Sequence, residues 1–229
     1  MKINRFEVID RCLYWRSKSL LVIGDLHLGY ENMLHEQGWS FPKRQMKETF
    51  DLLEKIINRV RKKGKLNRVL LLGDVKHYFA GVLQEEFRDF KRLLDFFQQK
   101  GIREIVIVKG NHDNILKPVI DRWQADVRLV DSWQEDDVLF IHGDKYSLKK
   151  IGLDQYKNHL VVKGHFHPAI KLRDDVKVEM YKCFVYNKKE LVVPSFFPLV
   201  EGQDIREQGL NGRIYVVGDK VYDFGDFNA

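Results

Sequence analysis

The sequence predicts an α/β fold, and three observations lead to that prediction. Short apolar runs of strand type alternate along the chain with two long amphipathic segments. Hydrophobic residues make up 44% of the 229 residues, which is enough for one substantial core. The sequence has no Pro/Gly/Ser-rich linker, repeat or low-complexity block that would divide it. We therefore expect one domain over residues 1–229.

The spacing of apolar residues predicts two helices. In residues 42–63 they recur at three- and four-residue steps, at Met46, Phe50, Leu53, Ile57 and Val60. Pro42 and Gly64 supply the start and stop signals of this helix. A second helix is predicted over residues 83–100, before Gly101, with one aromatic face formed by Phe87, Phe90, Leu94 and Phe97. We interpret these aromatic residues as core packing.

Beyond Gly164 the pattern changes to short stretches of strand type. They cover residues 176–185, 190–193 and 213–217, and Asn187 and Gly218 are among the turn residues between them. Hairpin-like spacing favours antiparallel pairing. The last part of the chain is therefore predicted to form a second, more antiparallel sheet.

Five apolar runs are each followed by residues that can bind a metal ion. The motifs are Asp25-Leu26-His27, Gly73-Asp74 with His77, Gly110-Asn111-His112-Asp113, His142-Gly143-Asp144 and Gly164-His165-Phe166-His167. Any one of them alone is most often an ordinary turn after a strand. Together, however, they contain six of the eight histidines in the chain. Because ligand sites lie outside the carboxyl ends of strands, we expect the motifs to converge on one crevice.

The types of side chain in these motifs restrict the kind of site. Carboxylate, amide oxygen and imidazole together suit manganese, iron or zinc, whereas a structural zinc site favours cysteine. The two cysteines, Cys12 and Cys183, are far apart in apolar surroundings and are interpreted as small buried side chains. The sequence therefore predicts a catalytic metal centre.

Taken in order, the motifs between residues 25 and 167 resemble those of the calcineurin-like metallophosphoesterases. The opening Asp25-Leu26-His27-Leu28-Gly29 is most similar to SbcD-type DNA-repair nucleases and to small archaeal SbcD-related phosphoesterases, a group that also resembles bacterial PdeM proteins. Protein serine/threonine phosphatases match less well, because His77 and Asp113 stand where that branch has arginine and glutamate. The resemblance implies a four-layer αββα sandwich with two mixed sheets.

The resemblance also implies a dinuclear centre with seven ligands. The first ion would be held by Asp25, His27, Asp74 and His167, and the second by Asp74, Asn111, His142 and His165. Asp74 would bridge the two ions. Mn²⁺ is the expected metal, with Fe, Zn or Ni as alternatives. A hydroxide shared by the two ions would attack phosphorus in line.

The resemblance also implies catalytic roles for three further residues. His112 would be the general acid that protonates the leaving oxygen. Asp113 would either hold the His112 imidazole in the needed tautomer or cap a helix beginning near Ile115. His77 would contact the phosphate or assist His112.

The expected activity is phosphodiester hydrolysis, with nucleic acid as the substrate and DNA repair as a context. The formal charge of +6 and the lysines after His142, namely Lys145, Lys149 and Lys150, favour contacts to a phosphate backbone. The first alternative function is a small-nucleotide phosphodiesterase or phosphatase. The second is a non-catalytic scaffold like the retromer subunit of this fold. The sequence favours an enzyme over a scaffold because every ligand position is intact. The chain after His167 is too short for a capping domain, which argues against partner-driven DNA resection.

No apolar run is long enough for a signal peptide or a membrane span. We therefore expect a cytoplasmic protein with no membrane partner.

Overall fold

The first of two β-sheets contains seven strands in chain order. A computed structural model describes residues 1–40, 42–78, 84–173 and 177–228. The strands are β1 (Lys2–Ile3), β2 (Phe6–Ile9), β3 (Cys12–Trp15), β4 (Leu20–Gly24), β5 (Arg68–Leu72), β6 (Glu104–Val108) and β7 (Val127–Val130). The pairs from β1 to β4 are antiparallel, and those from β4 to β7 are parallel. This sheet is therefore mixed.

The second sheet contains the remaining strands of the described chain. They are β8 (Trp133–Glu135), β9 (Val138–Ile141), β10 (Leu160–Lys163), β11 (Pro168–Arg173), β12 (Val178–Tyr186), β13 (Glu190–Val192), β14 (Gln203–Asp204), β15 (Gly212–Val217) and β16 (Val221–Phe227). The order is β14-β11-β12-β13-β10-β9-β8, and β15 also pairs with β12 and with β16. Strands β9, β10 and β13 are parallel. The second sheet thus starts earlier in the chain than the tail predicted from the sequence. It is mixed, as the resemblance implies, and the pairs β11–β12, β12–β13, β12–β15 and β15–β16 in the tail are antiparallel, as predicted.

Helices cover the outer face of each sheet. They are α1 (Tyr30–Glu36), α2 (Gln45–Arg61), α3 (Gln84–Gln99), α4 (Leu116–Trp123) and α5 (Lys145–Ile151), with short 3-10 helices at Arg16–Lys18 and Leu153–Tyr156. Leu53 of α2, Phe90 of α3 and Ile120 of α4 share one core with Leu71 of β5. Leu148 of α5 packs on the outer face of the second sheet.

The two sheets pack against each other through a separate core. Alternate residues of β5 face opposite ways, so Leu71 packs under the helices while Leu70 joins Phe140 and Phe184 of the second sheet. Strands buried on both faces read as continuous apolar runs, which explains the pattern seen in the sequence. The layers run helix, sheet, sheet, helix, which confirms the predicted αββα sandwich.

The predicted helices are present with slightly shorter bounds. The helix expected over residues 42–63 is α2 (Gln45–Arg61), and that expected over 83–100 is α3 (Gln84–Gln99). The predicted starts at residues 83 and 176 lie outside the described residues. Both cysteines are free and buried, as expected. In the part of the chain that the structure describes, no helix has the length and apolar character needed to cross a membrane.

Candidate metal centre

The five strand-end motifs come together where the two sheets meet. Three follow β4, β5 and β6 of the first sheet, and two follow β9 and β10 of the second. Because all five strands are parallel within their own sheets, each sheet presents its carboxyl ends at one edge. The amide of His165 donates to the carboxylate of Asp25, at 3.1 and 3.2 Å, and this contact ties the two edges together.

The first cluster consists of Asp25, His27 and His167. The two Nε2 atoms of His27 and His167 are 3.1 Å apart, and His167 Nε2 lies 3.6 Å from Asp25 Oδ1. One ligand atom from each residue falls within 4.8 Å of the others, which is close enough to hold one ion. This is the set expected for the first metal, apart from the bridging Asp74.

The second cluster is arranged around His142. Its Nε2 atom lies 3.3 Å from Asp74 Oδ2, 3.2 Å from His165 Nδ1 and 3.1 Å from Asn111 Oδ1. These four residues are the set expected for the second metal. His142 has no exposed surface, so its position is fixed by packing.

Asp74 lies between the two clusters. Its Oδ2 atom is 3.3 Å from His142 Nε2 and 3.9 Å from His27 Nε2, so a single oxygen faces both sets. Its Oδ1 atom accepts a hydrogen bond from the amide of His112 at 2.9 Å. The backbone amide of His112 therefore orients the Asp74 carboxylate so that one oxygen, Oδ2, is directed at both clusters. This is the arrangement expected of a shared ligand.

The donor set fits divalent cations. Burial lowers the pKa of His27 to about 3, so this imidazole is neutral and its unprotonated nitrogen can bind a metal. Burial alone would lower the pKa of His142 as well, but its hydrogen bond with Asp74 and the charge of Asp25 raise it to about 9. Carboxylates that hold a proton on His142 so firmly would also stabilise a metal ion in its place.

The backbone of the site is strained at the ligands. Asp25, His27, Asp74, His165 and His167 all have positive φ, between 40° and 67°. For a residue with a side chain this conformation costs about 1–3 kcal/mol, and such strain is found mainly at functional sites. Five of the seven expected ligands are thus held in conformations that the surrounding structure must enforce.

Two glycines of the motifs allow the ligands to approach the backbone. A Cβ atom at Gly73 would lie 2.0 Å from His142 Nδ1, and one at Gly110 would lie 2.2 Å from Asp74 Oδ1. Neither neighbour can move, because both are buried parts of the second cluster. Glycine is therefore required at these positions by the close approach of the His142 and Asp74 side chains.

The contacts of Asp113 match neither of its two expected roles, which were to hold the His112 imidazole or to cap a helix. Its carboxylate accepts hydrogen bonds from the amides of Val75, Lys76 and Gly110, and α4 begins with Ile115 at its N-cap and no side-chain cap. The Nδ1 atom of His112 contacts the carbonyl oxygen of His77 instead. Consecutive side chains in a tight turn point in different directions. The Asp113 carboxylate and the His112 imidazole therefore have different partners although the two residues are adjacent in sequence.

His77 lies beside His112 and the first cluster. Its ring stacks on that of His112, with centroids 5.4 Å apart, and its Nδ1 atom is 3.3 Å from His27 Nδ1. His112 Nε2 lies 3.9 Å from Asp74 Oδ2, so the second nitrogen of His112 faces the bridging carboxylate. The structure thus brings His77 and His112 together at the same edge.

The three lysines after His142 lie on or beside α5 and are exposed. Lys150 forms an ion pair with Asp131 at 2.7 Å and lines a groove of about 250 Å³ that opens beside Asn111. Lys109, which the sequence analysis does not single out, lines the same groove. Lys150 is therefore brought near the candidate centre together with a cation from the end of β6.

Supporting residues were also missed by the sequence analysis. Gln45 is buried and donates to the carbonyl of His27 at 2.6 Å, and Glu31 accepts the amide of Gln45 at 2.8 Å. A signal for Gln45 exists, because it lies on the buried stripe of α2 with Leu53 and Val60. A polar residue on an apolar stripe marks a site where burial is offset by specific hydrogen bonds.

Comparisons with known proteins bear on the family and the fold. The sequence model of the calcineurin-like phosphoesterases matches residues 18–200, whereas no curated protein matches significantly. A solved structure of Pseudomonas putida nuclease MPE is 18% identical with a TM-score of 0.65, and the match covers 96% of this chain and 100% of that one.

Two other solved structures are less similar overall. A protein of unknown function from Aquifex aeolicus is 20% identical with a TM-score of 0.39, over 65% of this chain and 78% of that one. Wild-type Vps29 of Entamoeba histolytica, complexed with zinc, is 19% identical with a TM-score of 0.38, over 91% of this chain and 99% of that one. The Pseudomonas likeness supports the fold.

Proposed function

We propose that this chain, which belongs to the calcineurin-like phosphoesterase family and is a metal-dependent phosphoesterase, hydrolyses the phosphodiester bonds of nucleic acid with two divalent ions. The observation that carries the dinuclear part of the proposal is the position of Asp74 Oδ2 between two clusters of ligand atoms. A single bridging oxygen suits two ions that act on one phosphate.

The charges of the ligands support this role. Two divalent ions held by the carboxylates of Asp25 and Asp74 would leave the occupied centre with an excess of about two positive charges. When bound, the ions would lower the pKa of a water molecule and stabilise the charge that develops on the phosphoryl oxygens. Asn111 and the uncharged imidazole of His27 would hold the ions without cancelling that charge.

In this proposal His112 is the general acid. A carbonyl oxygen only accepts hydrogen bonds, so the contact with His77 requires a proton on His112 Nδ1. The other nitrogen, Nε2, faces the bridging carboxylate and can deliver a proton to the leaving oxygen. Once the proton has been transferred, the ring remains the neutral Nδ1–H tautomer. His77 fixes this ring through its carbonyl and by stacking.

Nucleic acid is the favoured substrate because of the surface beside Asn111. Lys109 and Lys150 line the groove there, and their ammonium groups can contact a phosphate that flanks the scissile one. The formal charge of +6 favours encounter with a polyanion. Such contacts position a strand and make binding sensitive to salt. The name of the Pseudomonas protein indicates that nuclease substrates are the first to test.

The proposal is tested by assaying the purified protein with Mn²⁺, Fe²⁺, Zn²⁺ or Ni²⁺. The substrates are bis- and mono-nitrophenyl phosphate, single- and double-stranded DNA, RNA and cyclic nucleotides. We expect stimulation by Mn²⁺, cleavage of DNA or RNA, and weaker hydrolysis of monoesters. Hydrolysis of monoesters or small nucleotides alone would reject the nuclease function in favour of a small-molecule phosphoesterase.

A further inference from the structure

A fully buried carboxylate lies close to the candidate centre but belongs to none of the five motifs. Glu86 of α3 has no exposed surface and occupies the same helical stripe as Phe90, Leu93 and Phe97. Burying a carboxylate costs free energy unless hydrogen bonds and a partner charge compensate. The contacts of Glu86 therefore point to a specific task.

Both strong hydrogen bonds of Glu86 go to the segment formed by His77 and Tyr78. The Oε1 atom accepts the amide of Tyr78 at 2.7 Å and that of His77 at 2.8 Å, and the latter amide is shared with the carbonyl of Leu28 at 2.9 Å. The side chain also packs directly on Gly29, where a Cβ atom would lie 2.7 Å from Glu86 Cγ. One oxygen of Glu86 thus fixes two consecutive peptide groups.

Lys76 completes this arrangement. Its Nζ atom donates to the carbonyl of Tyr78 and lies 4.0 Å from Glu86 Oε2, and the side chain is almost fully buried. Burial raises the pKa of Glu86 and lowers that of Lys76, which is the expected cost of removing both groups from water. The two side chains hold the segment from opposite ends of Tyr78.

The fixed segment carries the carbonyl that contacts His112. The oxygen of His77 receives the proton of His112 Nδ1, and this contact sets both the tautomer and the orientation of the ring. If His77 were free to rotate, His112 Nε2 would no longer be held toward Asp74, from which it is 3.9 Å distant. The chain of contacts therefore runs from α3 to the proposed acid.

We propose that Glu86 is a positioning residue that holds the His77–Tyr78 segment and, through the His77 carbonyl, keeps His112 in the tautomer and orientation of a general acid. This inference rests on the proposed role of His112 and goes beyond the metal centre itself. Within the described residues, the hydrogen bonds and ion pair of Glu86 go to Lys76, His77 and Tyr78, which lie outside the two ligand clusters. Its effect should therefore appear in proton delivery and not in metal binding.

The main test replaces the buried pair together, as Lys76→Met/Glu86→Leu. Glu86→Leu alone would leave Lys76 as an uncompensated buried charge and could prevent folding, whereas an apolar pair of similar size is usually tolerated. Glu86→Gln keeps an oxygen acceptor for the two amides, and Lys76→Met alone separates the contribution of the lysine. Glu85→Leu is the matched control, because Glu85 is the exposed neighbour on the same helix.

Two substrates with different leaving groups separate proton delivery from the rest of catalysis. They are the nitrophenyl ester of thymidine phosphate and the dinucleotide TpT, whose leaving alkoxide needs a proton. We expect the double variant to lose about 10–100-fold in kcat on TpT, with little change on the nitrophenyl ester and full metal content. Glu86→Gln and Lys76→Met should lose less, and Glu85→Leu should match the parent. Equal losses on both substrates would overturn the positioning role.

A second readout does not depend on activity. In ¹⁵N NMR spectra of metal-free protein, with His112→Ala used to assign the signals, the parent should show His112 protonated on Nδ1. The double variant should show both tautomers in exchange. An unchanged tautomer in a folded double variant would overturn the inference even if the protein cleaves nucleic acid. A changed tautomer would support it even if nucleic acid is not the substrate.

Discussion

The seven proposed ligands lie where strand ends of the two sheets meet, and we call this region the ligand edge. The lysines of α5 lie at the same end of the molecule but are built differently. At the ligand edge Asp25 and His142 are completely buried, and five ligands have positive φ. Lys145, Lys149 and Lys150 are exposed, and Lys150 forms an ion pair with Asp131 at the surface. In the proposed function, the chemistry would therefore be specified by buried strand ends, whereas contacts to a polyanion would depend on exposed side chains.

The largest effect is expected at the residue shared by both clusters. Asp74→Asn should lower the occupancy of both metals and nearly abolish turnover, because one charged oxygen faces both sets of ligands. Metal content by mass spectrometry and turnover of a nitrophenyl diester measure the two effects. Asp126→Asn, at an exposed aspartate, is the control. Two full equivalents of metal in Asp74→Asn would show that the clusters do not depend on a shared ligand.

The next effect separates chemistry from metal binding within the same edge. His112→Ala should keep both metals and lose about 10²–10⁴-fold in rate, the range typical of a general acid. The loss should be smaller for a nitrophenolate, which departs without a proton. His35→Ala, outside the candidate ligand clusters, should match the parent. The same loss for good and poor leaving groups would contradict an acid role for His112.

A third prediction concerns Lys182, a buried residue whose hydrogen bonds lead to the backbone of the ligand edge. Lys182 is buried and donates to the carbonyls of Ser195 and Phe197, and Ser195 Oγ in turn donates to the carbonyl of Asp25. Burial, together with the charge of Arg11, lowers the pKa of Lys182 to about 7. Between pH 7 and the ordinary lysine pKa, the unfolded chain binds more protons than the folded protein does. Stability contributed at this position therefore rises with pH in that window.

The measurement compares the parent with Lys182→Met in urea unfolding at pH 7 and pH 9. The difference in unfolding free energy should shift in favour of the parent by about 2–3 kcal/mol over this range. Lys188→Met, at an exposed lysine near the end of β12, is the control and should show no such shift. A pH-independent difference for Lys182→Met would mean that the lysine stays charged when buried.

The smallest effect is expected at the lysines. Lys145, Lys149 and Lys150 changed together to alanine should weaken cleavage of nucleic acid about 2–10-fold at low salt and leave a small diester unaffected, since they would position the phosphate backbone and take no part in the chemistry. A matched triple of exposed cations on and after α2, Lys55, Arg59 and Lys62, is the control. Loss of small-diester hydrolysis in the first triple would place these lysines in the chemistry.

The residues at the strand ends could be predicted from the sequence, whereas the side-chain directions in the turns could not. Parallel strands of one sheet end at a common edge, so the convergence of Asp25 with Asp74, and of His142 with His165, follows from apolar runs and the residues after them. The meeting of the two pairs depends on how the two sheets pack. The expectation for Asp113 did not follow, because the direction of a side chain in a turn depends on tertiary contacts with Val75 and Gly110. Glu86 could not be predicted, because a glutamate in a helix rich in charged residues is usually exposed, and its burial depends on tertiary contacts with His77 and Tyr78.

The origin of the ligands in two sheets has a consequence for synthesis of the protein. Asp25, His27, Asp74 and Asn111 follow strands of the first sheet, whereas His142, His165 and His167 follow strands of the second. A ribosome that has released only the first sheet has exposed four of the seven proposed ligands, and neither metal position has its full set. Because His167 is the last ligand to emerge, the nascent chain should gain the capacity to bind two ions only after β10 and the residues that directly follow it have left the ribosome.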